Sequence, residues 1–320
     1  MEEHENTALI TNDAVILGIL LVILAIVFKT SSSGKKFWKK FYTYIPVVLV
    51  CYFVPSLLNT FHIVDGEKSG LYFMSTRYLL PACLFLLTMS VDMREIFRLG
   101  PKALIMFFTA TAGVILGGPL AVFITSLIAP DFLYAEGGEP VWRGLTTIAG
   151  SWIGGGANQA AMYILFKPSS ELYSVMITVD VIVAEIWMAV LLFGVGKSDS
   201  IDRFFNADNR SIERLKNKME KFSLSVKRIP STTDFMVILG LAFGATAISH
   251  FIGDNLAPWI ETHAPYLETY SLTSKFFWLV VIVTLIGIIT SFTKLREYEG
   301  AGSSKIGSVF IFILVASIGM

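Results

Sequence analysis

The residues that could do chemistry gather in two apolar stretches. The first reads Gly150-Ser-Trp-Ile-Gly-Gly-Gly-Ala-Asn-Gln159, inside an apolar segment from about Leu145 to Phe166. That segment approaches the length of a membrane helix. Glycine, however, costs a helix about 1 kcal/mol relative to alanine, and Gly154, Gly155 and Gly156 are consecutive. The spacing therefore predicts a break. Backbone released at membrane depth is tolerated only where it meets protein or a wet cavity. Freed N–H and C=O groups beside Ser151, Asn158 and Gln159 would then suit an ion or a small anion. The competing reading is close packing, since Gly150 and Gly154 form a small-xxx-small pair. Packing asks for small residues but not for three glycines followed by two amides, which favours the ion or solute site.

The second stretch, Leu172–Val195, carries Thr178, Asp180 and Glu185. A charge at membrane depth costs at least ~2.5–3.5 kcal/mol and usually faces a partner or a cavity. Asp180 and Glu185 are about 140° apart around a helix, so they do not share one ligand. Asp180 with Thr178 reads as the pair for a coupling ion. Glu185, beside Trp187, reads as a proton carrier, because burial disfavours its charged form. The alternative for each is a buried carboxyl bonded to freed backbone. Asp92, at a span end, reads as a solvated boundary or helix-end residue.

Other chemistries are excluded. The chain has 320 residues, is 54% apolar and has a mean hydropathy of +0.66. Its long continuous apolar runs describe an all-α polytopic membrane protein; a barrel would alternate. Cys51 and Cys83 sit within apolar runs, so no disulfide framework is implied. The four histidines are scattered, and there is no metal-ligand spacing, P-loop or nucleophile elbow. The chain is not expected to be an enzyme, to bind nucleic acid, or to hold a cofactor beyond Na+ or H+ as coupling ion. Glu2, Glu3 and Glu5 occupy the place where a signal peptide is basic.

The elements that must position these residues are apolar segments at about Asp13–Phe28, Tyr44–Phe61, Tyr78–Val91, Ala103–Ala129, Leu145–Phe166, Leu172–Val195, Phe235–Ile252, Phe276–Phe292 and Ile306–Met320. Trp38, Phe41 and Tyr42 among lysines suit a headgroup belt. Residues 197–231 form a long basic loop in which Ile212, Leu215, Met219 and Phe222 fall on one helical face. A solvated loop helix with a small docking stripe is the equal alternative for that face.

Basic residues collect on the cytoplasmic side. If the 145–166 segment re-enters rather than crosses, only Lys68, Arg77, Arg143, Lys167 and Lys275 of the 25 basic residues lie outside. A full crossing violates the rule. Re-entry puts the N-terminus outside and the 197–231 loop in the cytoplasm. The segment is short for a hairpin, so a crossing helix stays open as the alternative.

An internal repeat points the same way. Val15-Ile-Leu-Gly18 recurs as Val237-Ile-Leu-Gly240, and Leu80–Met93 aligns with Gly307–Met320, matching Phe85/Phe312, Leu87/Leu314, Ser90/Ser317 and Met93/Met320. With five crossings and one hairpin per unit, the second copy starts on the opposite side. That is an inverted-repeat transporter build. The domains are then 1–196 as first repeat, 197–231 as cytoplasmic loop and 232–320 as the start of an incomplete second repeat. A continuation of about 100 residues, with a second glycine-rich segment near position 380, is the expectation from the repeat.

These residues resemble known families. Leu84 to Lys102, reading LFLLTMSVDMREIFRLGPK, resembles the span and basic loop before the scaffold helix of bacterial sodium–glutamate and sodium–bile acid symporters. Gly154–Gln159 followed by Ala160-Ala161 is similar to the glycine-rich ion-site motif of both. Over nearly the whole chain the likeness is to the uncharacterised YjcL-like bacterial membrane proteins, which resemblance places in the cation–proton antiporter and anion transporter superfamily. That implies a substrate-carrying core moving against a scaffold, in the bacterial inner membrane. The bile-acid pattern has Ser-Asn after its glycines; this chain has Ala157-Asn158, so only Asn158 carries over. The inverted repeat, the broken glycine-rich segment and the buried carboxyls give the reading: a cation-coupled secondary transporter of a small solute, expected to be an organic anion, with a homodimer left open; the resemblance itself supplies no substrate. The alternative is a receptor or regulatory protein on the same fold.

Overall fold

The computed structural model describes residues 8–64, 69–98, 101–195, 203–204, 217, 220–222 and 224–320. Its elements are helices: α1 (Asp13–Ser31), α2 (Lys36–Tyr44), α3 (Val47–Thr60), α4 (Gly70–Ser90), α5 (Met93–Arg98), α6 (Pro101–Ile128), α7 (Trp142–Gly154), α8 (Gly156–Phe166), α9 (Ser170–Val195), α10 (Thr232–His263), α11 (Lys275–Ser291) and α12 (Ser303–Gly319). Among the described residues there is no strand. Four of the helices are long and apolar enough to cross a membrane, and six spans result if each of two bent pairs is one span. The apolar segments read from sequence coincide with helices, except that α10 runs well past Ile252 and α4 begins at Gly70.

The chain divides into two compact units. Unit 1 comprises residues 1–87, 240–286 and 304–320; unit 2 comprises 88–239 and 287–303.

In unit 1 the buried face of α1 is Ile16, Leu20, Leu24 and Val27, the spacing of one helical stripe. It packs with Cys51 of α3, Leu71 of α4 and Ala316 and Met320 at the end of α12. Asn12 caps α1 by accepting from the Ala14 and Val15 N–H groups. Asp13 accepts from Ser69 Oγ at 2.7 Å and Gly70 N at 3.1 Å, which ties α1 to the start of α4. The aromatic cluster Phe37, Trp38, Phe41 and Tyr42 lies on α2, and Tyr42 Oη sits 2.7 Å from Thr30 Oγ1 of α1.

α4 contains a π-turn at Ser75–Leu79. Two of its groups bond outward: Ser75 Oγ donates to Ser317 Oγ of α12 at 2.9 Å, and His250 Nε2 of α10 donates to the Arg77 carbonyl at 2.8 Å. The burial pattern of α1 recurs on α10 at a constant offset. Ile238, Ala242, Thr246 and Ser249 are buried, each 222 positions after a buried residue of α1.

Unit 2 contains α6, which is 28 residues long and has no buried residue among those described. α7 and α8 do not form one crossing helix. They fold back on each other as a hairpin: the rings of Trp142 and Phe166, at opposite ends in sequence, lie 6.0 Å apart. Beyond the open end the Glu139 carboxylate accepts the Ser169 N–H at 3.0 Å. At 1.5 Å per residue the arms are about 20 and 16 Å long, little more than half of a ~30 Å hydrocarbon core.

Asp92 stands at a helix end, directly before α5, where its carbonyl accepts the Ile96 N–H, but it is not solvated. It pairs with Arg296 at 2.8 Å, and both side chains are largely buried. Arg296 also lies over the Phe222 ring at 3.8 Å. The pairing follows from the 3-10 turn Lys294–Ala301, whose Glu299 accepts from Ser90 at 2.6 Å and from Ser303 at 2.9 Å. Of the amphipathic stripe, Phe222 is described; Ile212, Leu215 and Met219 lie outside the described residues.

Two outcomes test this packing. Leu20→Ala opens a cavity in the unit 1 core and should cost about 2–5 kcal/mol, whereas Gly18→Ala, with open space around it, should be neutral or slightly stabilising. Thermal melts of the two variants measure this. Cysteines at Tyr134 and Ser170, which flank the hairpin, should both label from the same face with an impermeant thiol reagent; labelling from opposite faces would sink the re-entrant reading.

Candidate functional site

The hairpin turns at Gly155, whose φ of +84° and ψ of −175° lie in a region that is essentially closed to residues with a Cβ. Gly155 N–H donates to the Ser151 carbonyl, and the Gly155 carbonyl accepts from Asn158 and Gln159 N–H as α8 begins. No side chain caps α8. The other glycines serve close approach. A Cβ on Gly150 would meet Met162 and the Asn158 carbonyl, and one on Gly154 would run into the Asn158 carboxamide. A Cβ on Gly144 would meet Met176 at 2.7 Å, so α7 lies against α9 as tightly as against α8. The packing reading and the broken-helix reading are therefore both realised, at different glycines.

Asp180 joins the parts. It is 91% buried, on α9, about 15 Å along the helix from Ser170. One carboxylate oxygen accepts from Trp152 Nε1 at 2.6 Å and the other from Gln159 Nε2 at 3.1 Å. Trp152 belongs to α7 and Gln159 to α8, so one carboxylate holds both arms of the hairpin to α9. Among the described residues Asp180 has no ion-pair partner.

Of the sequence-predicted site residues, the structure brings together Gln159 and Asp180, with Gly154 and Asn158 in contact beside them. It does not join Thr178 to Asp180. Residues two apart on a helix face different ways, and the Thr178 hydroxyl donates to the Ser174 carbonyl of its own helix at 2.9 Å. Ser151 contributes its carbonyl to the turn. Gly155 and Gly156 form the exposed tip. The Glu185 side chain lies outside the described residues. Trp152 was not singled out in the sequence. An indole N–H at this depth needs an acceptor, but nothing in its spacing points to a carboxylate 28 positions away.

Two cavities flank α7. The larger, about 860 Å³, lies between α6 and the hairpin and is lined by Asn158 among apolar residues. The smaller, about 340 Å³, is lined by Trp152 and Asp180. Val114 and Gly118 of α6 and Leu145 and Ala149 of α7 border both. No Lys, Arg or His is among the described lining residues of either. Among the described residues no group of His, Cys, Asp and Glu is arranged to hold a metal ion.

Gly155→Ala should cost about 1–3 kcal/mol through its backbone conformation alone. Gly154→Ala should instead displace the Asn158 carboxamide. Melting temperature of the two variants, with and without candidate solutes, separates a turn defect from a displaced side chain.

The comparisons with known proteins agree with this architecture. The chain is 26% identical over 266 residues to the uncharacterized membrane protein YjcL of Bacillus subtilis (strain 168). The alignment covers 79% of this chain and 60% of that relative, so the chain spans less than two thirds of the relative's length. No solved structure matches. The family described as "Protein of unknown function (DUF819)" matches residues 18–320, and this multi-pass membrane protein of apolar helices belongs to it.

Proposed function

We propose that the protein is a cation-coupled secondary transporter of a small solute, working by elevator-like alternating access in the bacterial inner membrane. The observation that carries this reading is Asp180. A carboxylate at membrane depth, held by two neutral donors and by no basic side chain, needs a positive partner for its charge. Na+ or H+ would supply it. A cation on Asp180 competes with Trp152 and Gln159 for the carboxylate oxygens. Its arrival would loosen or reset both arms of the hairpin, and Asn158, next to Gln159, faces the large cavity on the other flank of α7. Ion and solute would thus act on the same hairpin from opposite sides.

The wider architecture supports the same reading. Unit 1 collects α1, α3 and most of α4 together with most of α10, α11 and α12, the first three spans of each proposed repeat. Unit 2 collects α6, the broken hairpin and α9. That division supports a reading of one unit as scaffold and the other as carrier. The recurring buried positions of α1 and α10 support the inverted repeat. The Glu139–Ser169 bond supports a re-entrant hairpin, and the distribution of basic residues then favours an external N-terminus and a cytoplasmic 197–231 loop.

A second reading, a non-transporting receptor on this fold, draws on the anchored end of the basic loop. Arg228 bonds to Asp234 at 2.7 Å, lies over the Tyr298 ring and donates its N–H to the Gly300 carbonyl. A docked loop could relay a solute signal without transport.

The test uses the full-length protein in lipid nanodiscs. Its thermal stability should depend on Na+ against K+, or on pH, and Asp180→Asn should remove that dependence while keeping the volume of the side chain. A variant that folds and retains the full cation and pH dependence would overturn the assignment of Asp180. Cation dependence with no solute uptake in proteoliposomes would favour the receptor.

A further inference from the structure

The large cavity has a definite chemistry. Its volume of about 860 Å³ falls within the ~300–1,000 Å³ of small-molecule sites. Its walls are aliphatic and aromatic, with Phe123, Leu145, Ile153, Met162 and Phe166 among them. None of the described lining residues is charged.

Four lining side chains carry a polar group: Ser126, Thr146, Asn158 and, through its indole N–H, Trp142. Ser126 Oγ donates to the Phe123 carbonyl and Thr146 Oγ1 to the Arg143 carbonyl, both at 2.6 Å. Each hydroxyl has one proton, so neither is left as a donor to a ligand. The Asn158 carboxamide, set over Gly154, has no hydrogen-bond partner among the described residues. The lining thus offers two neutral donor groups, the Asn158 carboxamide and the Trp142 indole N–H, and no charge. An ionised carboxylate entering it would leave water for neutral donors alone, a heavy desolvation penalty. An uncharged acceptor would not meet that penalty.

We infer that this cavity binds an uncharged, largely aliphatic molecule that presents one oxygen acceptor, a ketone, ester or hydroxyl oxygen, to the Asn158 carboxamide. The inference rests on the proposed transport reading for the role of the ligand as solute, and replaces the organic anion expected from the sequence. The same chemistry could come from a free small molecule or from the ester carbonyl of a bilayer lipid.

The experiment measures melting temperature of the full-length protein in nanodiscs with 2-decanone, decane or decanoate. Nanodiscs are made either of ester-linked or of ether-linked phosphatidylcholine, the latter lacking carbonyls. A saturable rise of a few degrees is expected with 2-decanone, exceeding that with decane and decanoate. Ile153→Trp, which fills the cavity, should abolish the rise. Asn158→Leu should remove the advantage of the ketone over decane. An equal rise in both lipids assigns the site to a free solute; a smaller rise in the ester-linked lipid assigns it to a lipid carbonyl.

Decanoate stabilising more than the ketone would overturn the inference, as would equal effects of ketone and decane on the unaltered protein. These results need no variant to fold. Ketone preference without any cation dependence would count against transport alone. Cation dependence with decanoate preference would count against the ligand class alone.

Discussion

A carboxylate in the middle of an apolar helix has to be compensated, and the arrangement of unit 2 follows from how Asp180 is. Neither donor to it is charged. One comes from each arm of a hairpin that exists only because Gly155 adopts a conformation other residues avoid. The bond pair therefore does two things. It closes the hairpin against α9, and it leaves one negative charge without a cationic neighbour among the described residues. Two hydrogen bonds to a charged group are worth roughly 1.5–3 kcal/mol each, which is of the same order as the insertion cost of the charge. The site is balanced rather than locked.

Much of the frame was legible because it depends on local composition. Continuous apolar runs gave helices at the expected places, and three consecutive glycines gave the break. The basic-residue asymmetry favoured a fold-back, and the Trp142–Phe166 contact now shows the two arms side by side. The contents of the site were less legible. Gln159 and Asp180 were picked out as polar residues in apolar runs, but their mutual bond and the role of Trp152 are long-range facts with no period in the sequence. Thr178 was paired with Asp180 by nearness in sequence; helical geometry separates them, and Ser174 takes the hydroxyl. Asp92 is at a helix end, as its place in the sequence indicates, but its burial is not legible there. Its partner Arg296 lies more than 200 positions away, and apolar patterning is silent about a largely buried ion pair.

Unit 1 holds two pairs of helices in like contact. Phe28 of α1 meets Phe312 of α12 with ring centroids 4.6 Å apart, while His250 of α10 reaches the Arg77 carbonyl on α4. The chemistry at the two contacts differs, aromatic at one and polar at the other. What α1 and α10 have in common is the register of burial. Ile16, Leu20, Leu24 and Val27 are buried on α1 and, 222 positions on, Ile238, Ala242, Thr246 and Ser249 on α10, with smaller residues at the last three. Burial constrains which positions face inward more tightly than it constrains the residue placed there.

The two cavities give this hairpin its mechanical interest. α7 is their common wall, and the residues that border both, Leu145 and Ala149, sit one helical turn apart on it. A shift of α7 large enough to matter in one cavity must change the other. The open end of α7 is tied by the Glu139–Ser169 bond and the Trp142–Phe166 contact. At the tip the constraints are the Gly155 turn, the Asn158 carboxamide against Gly154, and the two bonds to Asp180. Of these, the bonds to Asp180 alone respond to a cation. In the proposed cycle the coupling between ion and solute therefore needs no long pathway. It needs one helix end whose position is decided by whether Trp152 and Gln159 or a cation holds the same carboxylate.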